Sequence, residues 1–187
     1  MAYIQTIQES EAQGDLAALY KRFGNPDGTV DDVLKVHSLN PESLEAHCAL
    51  YIQSMHRPGP VSRAEREVVG ITVSRINGCM YCVRHHAAGL VKLLPDDRKH
   101  IAEELKNGGV DGLTRRELAM VQYATKLTED PGSMTEQDLD PLRAAGIEDR
   151  EILDIAQAAA YFAYANRIVL GLGAQLEGHD VIGQWPE

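Results

Sequence analysis

Hydrophobic residues recur along most of the chain at intervals of three and four residues, the spacing of one face of an α-helix. The stretch 63–76 shows this spacing clearly, because Val68, Val69, Val73 and Ile76 fall on one face. No segment alternates apolar and polar residues convincingly, as a half-buried strand does. The pattern therefore predicts an all-α protein.

Capping residues and helix breakers divide this pattern into separate helices. Ser62 and Glu65 have the spacing of a capping box, and Asn77-Gly78 interrupts the helical pattern that follows. Helices are predicted over 10–23, 30–38, 40–55, 62–76, 79–94, 95–107, 115–128, 136–145 and 148–172.

The 187 residues of the chain are enough for one medium-sized domain. We expect a single all-helical domain over 1–187, with its core over 40–175 and a helical hairpin over 62–94. The segments 65–69 (EREVV) and 149–153 (DREIL) are similar, and each opens an apolar helical stretch. A multi-helix bundle is therefore expected, either with or without an internal duplication of a helical unit.

Composition and charge restrict the partners of the protein. A net charge of -10 argues against nucleic-acid binding, which needs clustered Lys and Arg, and more weakly against anionic membranes. No apolar run approaches the ~20 residues that span a bilayer, and the N-terminus lacks the features of a secretory signal. Three cysteines without such a signal do not indicate a disulfide scaffold. We therefore expect a cytoplasmic protein in which close cysteines are catalytic or metal-binding.

The stretch NGCMYCVRHH, residues 77–86, contains two of these cysteines. Cys79, Cys82 and His86 have the i, i+3, i+7 spacing of one helix face. His85 lies about 100° away and is expected to point elsewhere, as a structural residue or at the rim of the site. The Asn-Gly break places both thiols in a first helical turn, where the helix dipole favours a thiolate. Two such thiols can close a reversible disulfide, and the imidazole can transfer the proton.

Glu67 precedes Cys79 by 12 residues. On one continuous helix it would lie ~18 Å away along the axis, out of reach of the cysteines. If the chain reverses at Asn77-Gly78, Glu67 and His86 lie roughly level in an antiparallel hairpin. A carboxylate in that position orients the imidazole and raises its basicity.

Glu67, Cys79, Cys82 and His86 follow the pattern E-x11-C-x2-C-x3-H. This pattern resembles the active site of the AhpD-like (alkylhydroperoxidase D-like) proteins of the carboxymuconolactone decarboxylase superfamily, in particular the peroxidase-related subfamily. The resemblance covers roughly residues 40–175 and is sharpest over 62–90. Its other parts are Asn40-Pro41 with His47, the run 61–67, Tyr161-Phe162 and Asn166-Arg167.

The resemblance implies an AhpD-like helical bundle, assembly as a homo-oligomer (dimer, trimer or hexamer) and reduction of hydroperoxides by the cysteine pair. It implies that Glu67 and His86 relay protons and that an external dithiol or disulfide-reducing protein restores the cysteines, with no cofactor and no metal. The resemblance gives the attack on peroxide to the second cysteine, Cys82. The residues themselves leave the order of the two sulfurs open. Better-studied members have a histidine directly before that cysteine, where this chain has Tyr81.

Other interpretations of the same residues remain. A zinc site needs about four ligands, and only one cluster is present. The alternatives are a decarboxylase-like enzyme acting on a small cyclic acid, and a non-catalytic metal-binding or thiol-sensing protein. Tyr81 and His47 are possible pocket residues, and Cys48 is expected to be a buried, inert thiol. Asn166 and Arg167 are expected to fix helix packing or an interface.

Overall fold

The computed structural model of the chain describes residues 2–176, and within them the prediction of an all-α fold is confirmed. Residues 1 and 177–187, which belong to the predicted domain, lie outside the described residues. The α-helices are α1 (Gly14–Phe23), α2 (Asp32–Lys35), α3 (Pro41–Tyr51), α4 (Arg63–Ile76), α5 (Met80–Leu93), α6 (His100–Asn107), α7 (Arg115–Glu129), α8 (Asp140–Ala144) and α9 (Asp149–Leu172). A π-helical turn, Ile52–His56, extends α3, and 3₁₀ turns occur at Asp96–Arg98, Pro131–Ser133 and Glu136–Leu139.

The ends of the first two helices differ from the prediction. The helix predicted from residue 10 begins at Gly14, whose φ of 55° is left-handed and separates it from the preceding turn. The helix predicted over 30–38 has only four α-helical residues. Beyond it, the amides of His37 and Ser38 bond to carbonyls three residues back, so the chain continues in tighter turns.

Three further predicted helices are only partly α-helical. The helix predicted over 40–55 changes to the π-helical turn after Tyr51. The helices predicted over 95–107 and 136–145 begin with 3₁₀ turns, and their α-helical parts start at His100 and Asp140. Short helix ends of this kind commonly tighten into 3₁₀ turns, which hydrophobic spacing does not distinguish from α-helix.

Helix α4 lies at the centre of the bundle and packs against α5, α7 and α9. Every residue from 66 to 74 is buried, and Phe162 of α9 lies directly against Gly70 of α4. Because α4 is enclosed on several sides, any polar side chain on it that points inward must find its partner within the protein.

Arginine side chains join the beginnings of α4, α7 and α9. Arg116 of α7 lies 2.6 Å from Glu65 and 2.6 Å from Glu151, the capping-box glutamates of α4 and α9. The similar starts of α4 and α9 agree with the short repeat in the sequence. However, the first segment breaks at Gly78, whereas α9 continues as one helix of 24 residues. The internal duplication therefore stays a prediction.

The N-terminal residues cover the ends of α5 and α9. The Tyr3 amide donates to the Leu172 carbonyl at 2.8 Å, and the Gln175 amide donates to Asp32 at 3.2 Å. Helix α2 lies beside the first turn of α5, where the Val33 amide donates to the Tyr81 hydroxyl at 3.3 Å. Within residues 2–176, no helix has the length and apolar character required to cross a membrane.

Candidate active site

The chain reverses direction between α4 and α5. Gly78 has a φ of 71°, in the left-handed region that favours glycine, and the Cys79 amide then donates to the Ser74 carbonyl at 2.8 Å. Helix α5 starts at the next residue and runs back along α4. Because of this turn, α5 lies beside α4, and His86 comes level with the first half of α4.

The two thiols at the start of α5 are in contact. The sulfur atoms of Cys79 and Cys82 lie 2.9 Å apart, and neither is in a disulfide. Both side chains are buried, with 0% of Cys79 and 5% of Cys82 exposed. A disulfide bond is ~2.05 Å long, so a small movement of either side chain would allow the bond to form.

The contact between the thiols makes the pair acidic. The Cys82 thiol lowers the pKa of Cys79 to about 7 against the effect of burial, and the Cys82 amide and the Asn166 side chain also lower it. The pKa of Cys82 is raised, because its thiol bonds to Cys79 and is itself buried. The remaining S–H therefore stabilises the first thiolate, and that first ionisation belongs to the pair rather than to one residue.

A thiol titration tests this coupling. We expect a thiolate midpoint near the pKa of about 7, with more thiolate as the pH rises through that value. In Cys82→Ala the donor is lost, and the pKa of Cys79 should rise by about one unit or more, which corresponds to about 1.4 kcal/mol. The ultraviolet absorbance of the thiolate, recorded against pH, measures the midpoint of the wild-type protein and that of the variant. Cys48→Ala is the control, since burial raises the pKa of Cys48 to about 12; an unchanged midpoint in Cys82→Ala would contradict the coupling.

A carboxylate and an imidazole meet across the α4–α5 pair. Glu67 Oε2 lies 2.6 Å from His86 Nδ1, and the side chains are only 5% and 13% exposed. Gly89, one turn further along α5, permits this approach, because a Cβ there would lie 3.3 Å from Glu67 Oε1. With Nδ1 bonded to the carboxylate, His86 has its Nε2 left for proton exchange.

These groups surround a cavity of about 70 Å³. Cys82, Glu67 and His86 all line it, whereas Cys79 is fully buried and does not. Tyr81 and His47, the two predicted pocket residues, also line it. The remaining lining residues are Asp31, Val33, Tyr51, Arg63, His85, Gly89, Tyr161, Phe162 and Ala165.

Aromatic rings form much of the wall. Phe162 meets the His86 ring edge to face at 4.5 Å, and the rings of Tyr51 and Tyr161 lie 5.3 Å apart. Burial raises the pKa of both tyrosines well above the usual range, so their hydroxyl groups stay protonated. This aromatic part of the wall is therefore apolar, with a few neutral hydrogen-bond donors.

His85 contradicts the expectation from the helical wheel, because it also lines the cavity. Its ring stacks on Tyr81 at 4.2 Å, and its Nδ1 lies 3.0 Å from the Tyr81 carbonyl. Tyr81 is held in turn by the Val33 amide, which donates to its hydroxyl at 3.3 Å. The cavity thus extends around α5 towards α2. Its wall includes residues from more than one face of α5.

Two other histidine and cysteine predictions fall on the α3 side of the molecule. His47 is buried, and its Nε2 lies 3.5 Å from the Tyr161 hydroxyl. Burial and the nearby His37 lower the pKa of His47 to about 3, so its ring is neutral at physiological pH. Cys48 packs in a separate apolar cluster with residues of α1 and α2 and does not line the cavity.

Asn166 of α9 holds the α4–α5 turn in place. Its amide donates to Ser74 Oγ at 3.0 Å, and its carbonyl accepts from the Asn77 side chain at 2.9 Å. Its side chain helps to lower the pKa of Cys79 and partly opposes the rise in the pKa of Cys82 that the Cys79 thiol and burial cause. Sequence reasoning assigned Asn166 to helix packing; its contact with the thiol site was missed.

Sequence reasoning also missed several residues of the cavity wall, and three of them are polar. Tyr51 carried only the signal of an apolar helix face, and Arg63 that of a position inside a capping box. Asp31 carried no signal, because it belongs to a segment far from the cysteines in the sequence. Within residues 2–176, no three His, Cys, Asp or Glu side chains converge as metal ligands.

Comparisons with known proteins bear on the family and the fold of the chain. A family model described as the carboxymuconolactone decarboxylase family matches residues 41–126. An uncharacterized peroxidase-related protein from Silicibacter sp. TM1040 is 33% identical, with 81% of this chain and 78% of that chain covered and a TM-score of 0.75. No curated protein sequence matches the chain.

Two less similar solved structures share the fold. An uncharacterized peroxidase-related protein from Ralstonia eutropha JMP134, described as an alkylhydroperoxidase AhpD core, is 23% identical, with coverage of 95% and 93% and a TM-score of 0.85. The debrominase Bmp8 is 18% identical, with coverage of 94% and 92% and a TM-score of 0.72. At these identities the likeness concerns the fold alone.

Proposed function

The chain belongs to the AhpD-like (carboxymuconolactone decarboxylase) superfamily, and on that premise we propose that it is a thiol-dependent peroxidase. One observation carries the proposal. The cavity that contains Cys82 also contains the Glu67–His86 pair, and a second thiol lies 2.9 Å from the Cys82 sulfur. A nucleophile, a base with its orienting carboxylate and a resolving thiol are thus in one place.

Access from the cavity supports Cys82 as the sulfur that attacks peroxide. Cys82 lines the cavity, whereas Cys79 is fully buried behind the wall. Before the reaction, the negative charge of the pair lies on Cys79, because the pKa of Cys79 is lowered to about 7. We therefore propose that the shared proton crosses the 2.9 Å between the sulfurs to Cys79 when Cys82 attacks.

His86 serves as the proton carrier in this scheme. The Cys82 thiolate attacks the terminal oxygen of a hydroperoxide, the O–O bond breaks, and a sulfenic acid and an alkoxide form. His86, four residues along α5 from Cys82, delivers a proton to the alkoxide, which leaves as an alcohol. Glu67 keeps the ring oriented and stabilises its protonated form.

Cys79 completes the cycle. Its sulfur attacks the sulfur of the Cys82 sulfenic acid, a disulfide forms as the S–O bond breaks, and the hydroxyl group leaves as water with the Cys79 proton. An external dithiol then supplies two electrons and two protons and restores both thiols. We propose that this occurs in the reducing environment of the cytoplasm, where a dithiol pool maintains the cysteines.

The size of the cavity bears on the substrate. A water molecule requires about 10–15 Å³ of such space, so a volume of about 70 Å³ admits only a few heavy atoms. Small hydroperoxides, or the reacting end of a longer one, fit this space.

The proposal is tested by steady-state consumption of hydroperoxide with a dithiol in excess. The wild-type protein should accelerate the reaction well above the rate of the dithiol alone. Turnover of a small lactone acid that survives Cys79→Ser would instead favour the decarboxylase alternative. Stoichiometric zinc in the purified protein, with no hydroperoxide consumption, would favour the metal-binding alternative.

A further inference from the structure

Arg63 marks the mouth of the cavity. It is exposed to solvent, whereas every other lining residue is buried or half-buried. Its positive charge is felt inside, because it counteracts the rise that burial causes in the pKa of Tyr51. A ligand that enters beside Cys82 therefore passes this guanidinium group.

The guanidinium group of Arg63 forms no ion pair among residues 2–176. Three other arginines of the bundle form ion pairs: Arg66 contacts Asp154, Arg98 contacts Glu117, and Arg116 contacts Glu65 and Glu151. Arg63 contacts no carboxylate among residues 2–176, although the chain carries a net charge of -10. An unpaired guanidinium at a cavity mouth is suited to a planar anion, above all a carboxylate.

The anionic groups inside the cavity are already engaged. Glu67 is bonded to His86, and Asp31 accepts a hydrogen bond from the Asn25 side chain at 2.9 Å. Both carboxylates lie on the inner side of Arg63 in a largely apolar wall, and they oppose the entry of another negative charge. An acidic substrate would therefore enter with its neutral O–O end first and leave its carboxylate at the mouth.

We propose that Arg63 binds a carboxylate group of the substrate, so that the hydroperoxide is that of a small organic acid. This inference rests on the proposed peroxidase function and adds a substrate class to it. The limited volume of about 70 Å³ agrees with it, because only the reacting end of the substrate fits inside.

The test compares two oxidants of matched size. One is tert-pentyl hydroperoxide, and the other is its analogue with the terminal methyl group replaced by a carboxylate. Wild type should have the larger kcat/KM for the acid, mainly through a lower KM, and added salt should reduce the preference. In Arg63→Gln the preference should fall about fivefold, the effect of losing ~1 kcal/mol of an exposed ion pair.

Controls separate the outcomes. Arg84→Gln removes the same charge from the outer face of α5 and should leave the preference unchanged, since Arg84 is exposed and does not line the cavity. Arg63→Lys should restore part of the preference. If wild type consumes both oxidants but Arg63→Gln keeps the full preference, the carboxylate site is wrong and the peroxidase stands. If wild type consumes neither, the peroxidase function fails and this substrate class fails with it.

Discussion

Replacement of Cys82 by serine should reduce hydroperoxide consumption by at least about a thousandfold, because a hydroxyl group is not ionised near neutral pH and is a poor nucleophile. The cavity offers no second sulfur to take over, since Cys79 does not line it. The measurement is kcat/KM with an excess of dithiol, with the helical content of the variant checked by circular dichroism.

Two further cysteine variants serve as controls. Cys79→Ser keeps the attacking sulfur and should react once with peroxide, leaving a sulfenic acid that a trapping reagent can label. Cys48→Ser should keep the wild-type rate, because Cys48 lies in a separate apolar cluster. Wild-type activity in Cys82→Ser would show that the wrong sulfur has been assigned.

Glu67→Gln should lower kcat/KM about a hundredfold, within the range of about 10²–10⁴ that a positioned acid–base group contributes. Glutamine fills the same space against Gly89, but it lacks the negative charge that lies 2.6 Å from His86 Nδ1. A steady-state assay across pH, combined with thermal unfolding, separates the loss of the relay from a loss of fold.

His86→Gln should have a similar effect, and the double variant should be little worse than either single variant, because the two residues act as one unit. Glu45→Gln, an exposed α3 carboxylate, is the matched control for the change in charge. Activity of Glu67→Gln within twofold of wild type would refute the relay.

The features that the sequence predicted well depend on local spacing. The register of Cys82 and His86 follows from the 3.6-residue period of α5. Cys79 directly precedes α5 and contacts Cys82, but it does not line the cavity, so the face predicted for all three residues is only partly observed. The Asn77-Gly78 break was visible as turn chemistry, and it led to the expectation that Glu67 lies level with His86. The structure places those two side chains 2.6 Å apart.

The features that the sequence did not predict depend on how distant segments pack. Asp31 reaches the cavity because the α2 segment packs beside α5, where Val33 contacts Tyr81, and nothing in its local pattern indicates this. The position of His85 was predicted wrongly, because the wheel assumes one narrow face whereas the Tyr81 ring extends the cavity around α5. The contacts of Asn166 likewise join residues that are distant in the sequence. Asn166 and Ser74, for example, are 92 residues apart.

The central claim is that Cys79 and Cys82 form a redox-active pair. The most direct measurement is the intact mass and thiol count of the protein after one equivalent of hydroperoxide, followed by alkylation under denaturing conditions. The account predicts a loss of two hydrogen atoms, a disulfide between Cys79 and Cys82, one alkylated thiol at Cys48, and full recovery of all three thiols with a dithiol. Three alkylated thiols after peroxide treatment, or a disulfide that includes Cys48, would contradict it.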